Sequence, residues 1–172
     1  MTNIPFDRIN WVDVLTVILL VRMGYIGMRL GLGAELVKLA GTVAGIFVSF
    51  RYYQGLGDSL AAKTFLSIEW AAALVLIFLV MAGYFVATWL LRLFENLAKL
   101  TFEKKIDQVT GFLAGIGRGL LAASVLWVAC MQLPSARLQE SIQKHSVSGE
   151  TVSRIAPAVY DTLDRFSHRL TG

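Results

Sequence analysis

The chain has 172 residues, of which 56% are hydrophobic and 16% charged, and its formal net charge is +4. Its mean hydropathy is +0.62, whereas soluble domains are about 45–50% apolar and about 25% charged. This composition argues against a sizeable soluble domain, and the modest positive charge fits basic loops against an anionic leaflet better than nucleic-acid binding.

Four long apolar runs follow one another: Trp11–Met28, Ala34–Phe50, Trp70–Leu91 and Gly111–Met131. A bilayer core takes about 17–25 mostly apolar residues per helix. The chain therefore reads as all-α: a polytopic membrane protein with four transmembrane helices plus an amphipathic C-terminal helix. The helices are expected near 11–29, 34–53, 70–91 and 111–131. Residues 1–133 make the membrane domain and 134–172 a helical tail.

The first run starts at Trp11, an interfacial aromatic anchor. It contains Asp13 and Arg22 and lacks an A-x-A site, so it reads as a retained helix and not a cleaved signal. Arg29–Gly33 is a tight turn in which Gly31 and Gly33 tolerate positive φ. So short a link predicts that helices 1 and 2 form an antiparallel hairpin. In Gln54–Glu69, the spacing of Leu56, Leu60, Phe65 and Leu66 predicts a short helix lying on the surface. Arg92–Thr110 reads as a surface extension of helix 3, and Pro134 marks the exit of helix 4. In the tail, Val152, Ile155, Val159, Leu163, Phe166 and Leu170 recur every three or four residues. Pro157 suits a first helical turn. Such a stripe can dock on the bundle, lie on the membrane or hold a partner.

Three basic residues interrupt the apolar runs: Arg22, Lys38 and Arg118. Arg22 lies seven residues inside from Arg29, and Arg118 seven inside from Gly111. Both therefore sit about 10 Å deep from one membrane side, with Lys38 shallower in the same half. Snorkelling toward the interface is one explanation; a polar pocket or anion path between helices is the other. Glu35 and Asp107 are candidate counter-ions. Asp13 belongs to the opposite side. Basic residues lean toward the side of the 1–2 and 3–4 loops, which predicts that these loops are cytoplasmic and both termini lie outside.

Small residues recur every four positions at Gly27 and Gly31, at Gly41 and Gly45, and at Gly111, Gly115 and Gly119. This spacing lets helix backbones approach closely in lipid, within one chain or between chains. A homo-oligomer remains open.

Three passages carry a resemblance. They are Asn10-Trp11-Val12-Asp13, the Gly24–Gly41 stretch GYIGMRLGLGAELVKLAG, and DQVTGFLAGIGRG from Asp107 to Gly119. Together with Ser146 and Pro157 they make the chain resemble the colicin V production (CvpA) family of bacterial inner-membrane proteins, over nearly its whole length. The last passage looks like that family's D-x-x-x-G-x-x-x-G-x-x-R-G signature. The resemblance implies four transmembrane helices and a role in colicin V production or export and in envelope homeostasis, without catalysis. Similar domains precede extracytoplasmic protease domains, which also places the chain after helix 4 outside. Asp13, Arg29, Gly31, Glu35, Asp107, Gly111, Gly115, Arg118 and Gly119 match the pattern. Arg22 does not, and stands on its depth alone.

Chemistry is sparse. Cys130 is the single cysteine, so no intrachain disulfide is possible, and neither a metal nor a cofactor is expected. His145, Ser146 and Ser148 lack any nucleophile-elbow motif, so an enzyme is not expected. The expected function is a non-enzymatic accessory or scaffold with a secretion or envelope protein as partner. The alternative is an oligomeric channel or transporter component built around helices 2 and 4.

Overall fold

The computed structural model describes residues 10–93, 104–143, 146 and 148–171. Helix α1 spans Trp11–Leu30. Asn10 caps it, its side chain accepting from Trp11 N at 2.7 Å, while Asn10 N donates to Asp13 Oδ2 at 3.0 Å. This reciprocal box satisfies donors that a helix start otherwise leaves bare. The helix ends at Gly31, whose φ of 81° lies in the left-handed region.

Helix α2, Leu32–Lys63, starts at once and continues for 32 residues. That is about 48 Å, well beyond a bilayer core. The separate surface helix expected over 54–69 is instead the far end of α2. Tertiary packing overrides the polar composition here: a Cβ at Gly57 would lie 3.0 Å from Ala72 Cα, so the extension rests on the backbone of the next helix. That helix, α3, covers Ile68–Leu93. Much of the expected surface extension over 92–110 lies outside the described residues. Helix α4, Lys104–Gln132, begins earlier than the expected Gly111.

Four of the described helices are long and apolar enough to cross a membrane, within Trp11–Leu30, Leu32–Lys63, Ile68–Val86 and Ile106–Gln132. They pack as two antiparallel pairs, α1 with α4 and α2 with α3. The expected hairpin of helices 1 and 2 is thus connected in sequence, but α1 meets α4 far more extensively than α2. The reason is the small-residue faces. Gly27 backs onto Gly111 and Gly115, and Gly24 onto Phe112 and Ile116. A Cβ at Gly83 would lie 2.7 Å from Gly45 Cα. Inside lipid such close backbone contact replaces the hydrophobic drive that water supplies elsewhere.

The tail docks on the bundle. Helix α5, Ala136–Gln143, was not expected; its Gln139 Nε2 donates to the carbonyls of Met131 (3.1 Å) and Leu133 (3.2 Å) at the end of α4. The single amphipathic stripe expected beyond it is split into α6, Gly149–Ser153, and α7, Ile155–Thr171. Pro157 falls in the first turn of α7, where its missing N–H costs nothing. Ser124 of α4 bridges the break: its Oγ accepts from Ala156 N at 2.8 Å and donates to Ser153 O at 3.3 Å. Ala156 joins Ile46, Leu76 and Val125 in one buried core, with Ile155 and Val159 packed against it. Val152 joins a second core with Val12, Trp127 and Ile142.

A pair of glycine variants tests this packing. Gly83→Val forces a side chain into the α2 backbone and is expected to lower stability by about 1–3 kcal/mol. Gly55→Ala meets nothing within 4 Å. It is expected to be neutral or to stabilise by up to about 1 kcal/mol through helix propensity. Thermal midpoints of the detergent-solubilised proteins check both; equal midpoints for the two variants contradict the packing.

Candidate functional site

The candidate residues collect at three levels of the bundle. At the first, the α1–α2 turn, Asp107 Oδ1 accepts from Leu32 N at 2.8 Å. The N-terminus of α2 has no side-chain cap of its own because Gly31 occupies that position. Asp107 therefore caps a helix other than its own, and its charge suits the positive end of that helix. A Cβ at Gly31 would meet the Asp107 carboxylate, in addition to straining the backbone at positive φ. Asp107 is thus committed to backbone, and not to the basic layer for which it was a candidate counter-ion. Arg29 stays exposed beside it, its Cζ 5.5 Å from the centroid of the Tyr25 ring.

At the second level lies a buried ion pair. Arg118 Nε donates to Glu35 Oε1 at 2.5 Å, with the side chains 4% and 0% exposed. Glu35 sits in the first turn of α2, where the helix dipole favours a carboxylate. Arg118 reaches it from α4, and its Cζ lies 5.4 Å from the centroid of the Tyr84 ring on α3. Tyr84 thus adds a cation–π contact. Burial of two charges costs several kcal/mol per ion and is offset only by good geometry and further hydrogen bonds. Here the hydrogen bonding is incomplete, since Glu35 Oε2 and Arg118 Nη2 are both buried without a hydrogen-bond partner among the described residues. Next to this pair is a cavity of about 400 Å³ lined by Arg22, Thr42, Met81, Tyr84, Phe85 and Arg118, among others. The two arginines placed at one depth by the sequence therefore share one cavity. Lys38 is buried one turn before Thr42, whose Oγ1 donates to the Lys38 carbonyl at 2.9 Å.

At the third level Asp13 holds the tail. Its Oδ1 accepts from Ser146 Oγ (2.8 Å), Ser148 N (2.8 Å) and Ser148 Oγ (2.6 Å). Ser146 Oγ also accepts from Gly149 N at 2.7 Å. One carboxylate therefore serves the N-terminal box of α1 and the entry to α6. Beside it Trp127 Nε1 donates to Thr16 Oγ1 at 3.1 Å, and the Trp11 and Trp127 rings meet edge to face. Gly111, Gly115 and Gly119 form the α4 face against α1 and carry no polar chemistry.

Sequence reasoning missed Tyr84, Thr16 and Ser124, and weighed Ser148 only as a nucleophile and not as a partner of Asp13. The available signal was polarity inside apolar runs: Thr16 and Ser124 each interrupt a span, and lone hydroxyls there find a partner on another helix. Tyr84 carried no such signal among many aromatics. Among the described residues no cluster of His, Cys, Asp and Glu is arranged to hold a metal ion.

The fold and these three levels define a multi-pass α-helical membrane protein with four spanning helices and a tail docked across one end of them. A family model described as colicin V production protein matches residues 12–157. The chain belongs to the colicin V production protein family. No curated protein and no solved structure matches it.

The ion pair has a specific mutational signature. Arg118→Leu leaves the Glu35 charge buried and alone, and is expected to destabilise by about 3–5 kcal/mol. Glu35→Leu, which leaves Arg118 alone, is expected to fall in the same range. The double variant Glu35→Leu/Arg118→Leu is expected to regain most of the loss. A double-mutant cycle on unfolding midpoints in detergent reads the coupling; additive losses mean that the two side chains do not depend on each other.

Proposed function

We propose that this protein is a non-enzymatic accessory of the bacterial inner membrane, a scaffold for toxin production and export and for envelope homeostasis. The observation that carries this reading is the way the tail docks. Val152, Ile155 and Val159 of its apolar stripe pack into the cores of the bundle, while Phe166, Arg154, Asp161, Arg165 and Arg169 remain exposed. The far end of α2 adds to the same surface: Arg51 Nη1 lies 3.4 Å from Asp164 Oδ1, and Phe47 and Phe50 contact the Tyr160 ring. The result is a pre-ordered, charged platform at one end of the membrane helices, and an ordered platform loses less entropy on binding a partner than a free tail. The excess of basic residues at the other end supports a periplasmic platform.

A transport component is the second reading, favoured by the arginine-lined cavity. The two part on mutation. The scaffold reading expects Asp161→Lys/Arg165→Glu to abolish complementation of toxin production in a deletion strain, at wild-type abundance. It expects Arg118→Lys to act only through abundance. The transport reading expects the reverse, because an ammonium cannot replace a guanidinium fork. Full complementation by the platform variant sinks the scaffold.

Orientation is read from cysteine accessibility in intact cells, in a Cys130→Ala background. Arg154→Cys is expected to react with an impermeant thiol reagent and Lys104→Cys to stay protected. The opposite pattern puts the platform in the cytoplasm.

A further inference from the structure

The cavity beside the ion pair is chemically unbalanced. Arg22 and Arg118 line it from spanning helices, Lys38 is buried one turn before its wall residue Thr42, and no carboxylate is among its lining residues. An unbalanced charge is costly in a low-dielectric surround, and such groups pair with anions or face polar cavities. Arg118 lines the cavity, its side chain is 4% exposed, and its Nη2 has no hydrogen-bond acceptor among the described residues. Arg22 lines the same cavity from the exposed face of α1. The remaining walls are largely apolar, and two of them, Met81 at 51% and Phe85 at 61%, are exposed on a helix long and apolar enough to span a membrane.

We propose that this cavity binds an anionic phospholipid of the surrounding leaflet, its phosphate recognised by Arg22 and Arg118 and an acyl chain lying along Met81 and Phe85. Three features choose the occupant. Two guanidinium groups select a phosphate, which accepts in their fork geometry. The charge imbalance selects a lipid with net negative charge over a zwitterionic one, whose own ammonium already neutralises its phosphate. The exposed apolar walls select an amphiphile over a free anion, which gains nothing from them. Tyr84 supplies a hydroxyl on the same walls, whereas the Thr42 hydroxyl is committed to the Lys38 carbonyl. This inference does not depend on the scaffold reading.

The test is native mass spectrometry of the purified full chain in detergent, titrated with phosphatidylglycerol, phosphatidylethanolamine or inorganic phosphate. Phosphatidylglycerol is expected to be retained in preference to phosphatidylethanolamine. Arg22→Gln, an exposed position, is expected to lower that retention on the order of tenfold, the loss of one charge-assisted hydrogen bond. Met81→Trp, which fills the open wall, is expected to lower it independently of charge. Millimolar inorganic phosphate is expected not to displace the lipid. Equal retention of the two lipids overturns the proposal, as does undiminished retention by both variants. Displacement by inorganic phosphate overturns it in favour of a free-anion site.

Discussion

The Glu35–Arg118 ion pair joins two halves, each held together internally at close glycine contacts. The α1–α4 and α2–α3 pairs are each zipped by backbone contact at Gly27, Gly111 and Gly115 or at Gly45 and Gly83. Such contacts are dispersion contacts: numerous, short-ranged and indifferent to chemistry. They specify that helices touch, but not which pair faces which. A charge on α2 that must meet a charge on α4 does specify it, because every mispaired arrangement leaves one of them bare in hydrocarbon. Tyr84 of α3 closes over the same guanidinium. Three of the four spanning helices thus depend on one residue, and α1 is carried along by its glycine face on α4.

At the opposite end the same logic uses hydroxyls instead of opposite charges. Asp13 gathers Ser146 and Ser148, Thr16 takes the Trp127 N–H, and Ser124 serves both sides of the α6–α7 break. Each of these is a polar group in an otherwise apolar setting, where a satisfied hydrogen bond is strong and an unsatisfied one expensive. The tail is therefore fixed in register, since sliding α6 or α7 by a residue strips several partners at once. A hydrophobic stripe by itself would permit that slide.

Hydropathy made the four spans legible, because length and apolarity are properties of each segment alone. The depth of Arg22 and Arg118 was legible too, since it follows from counting residues at a fixed helical rise. Choice of partner was not. Glu35 and Asp107 were equivalent candidates in the sequence, and only the positions of the helices send one to Arg118 and the other to the backbone of Leu32. The long α2 was hidden for a similar reason: Gly55 and Gly57 weaken the local signal, and the support comes from Ala72 on another helix. In the tail, the period from Val152 to Leu170 ran straight through a break that is bridged by Ser124, a residue of α4.

The Asp107–Leu32 contact spans 75 positions of sequence. Leu32 is synthesised 75 positions before Asp107, so the start of α2 is made before the residue that caps it. Arrival of α4 supplies the cap, the glycine face for α1 and the countercharge for Glu35 together. α1 and α2 touch each other little, and the fourth helix is the keystone that joins them. A chain without α4 leaves the Glu35 carboxylate without its guanidinium and the start of α2 without its cap.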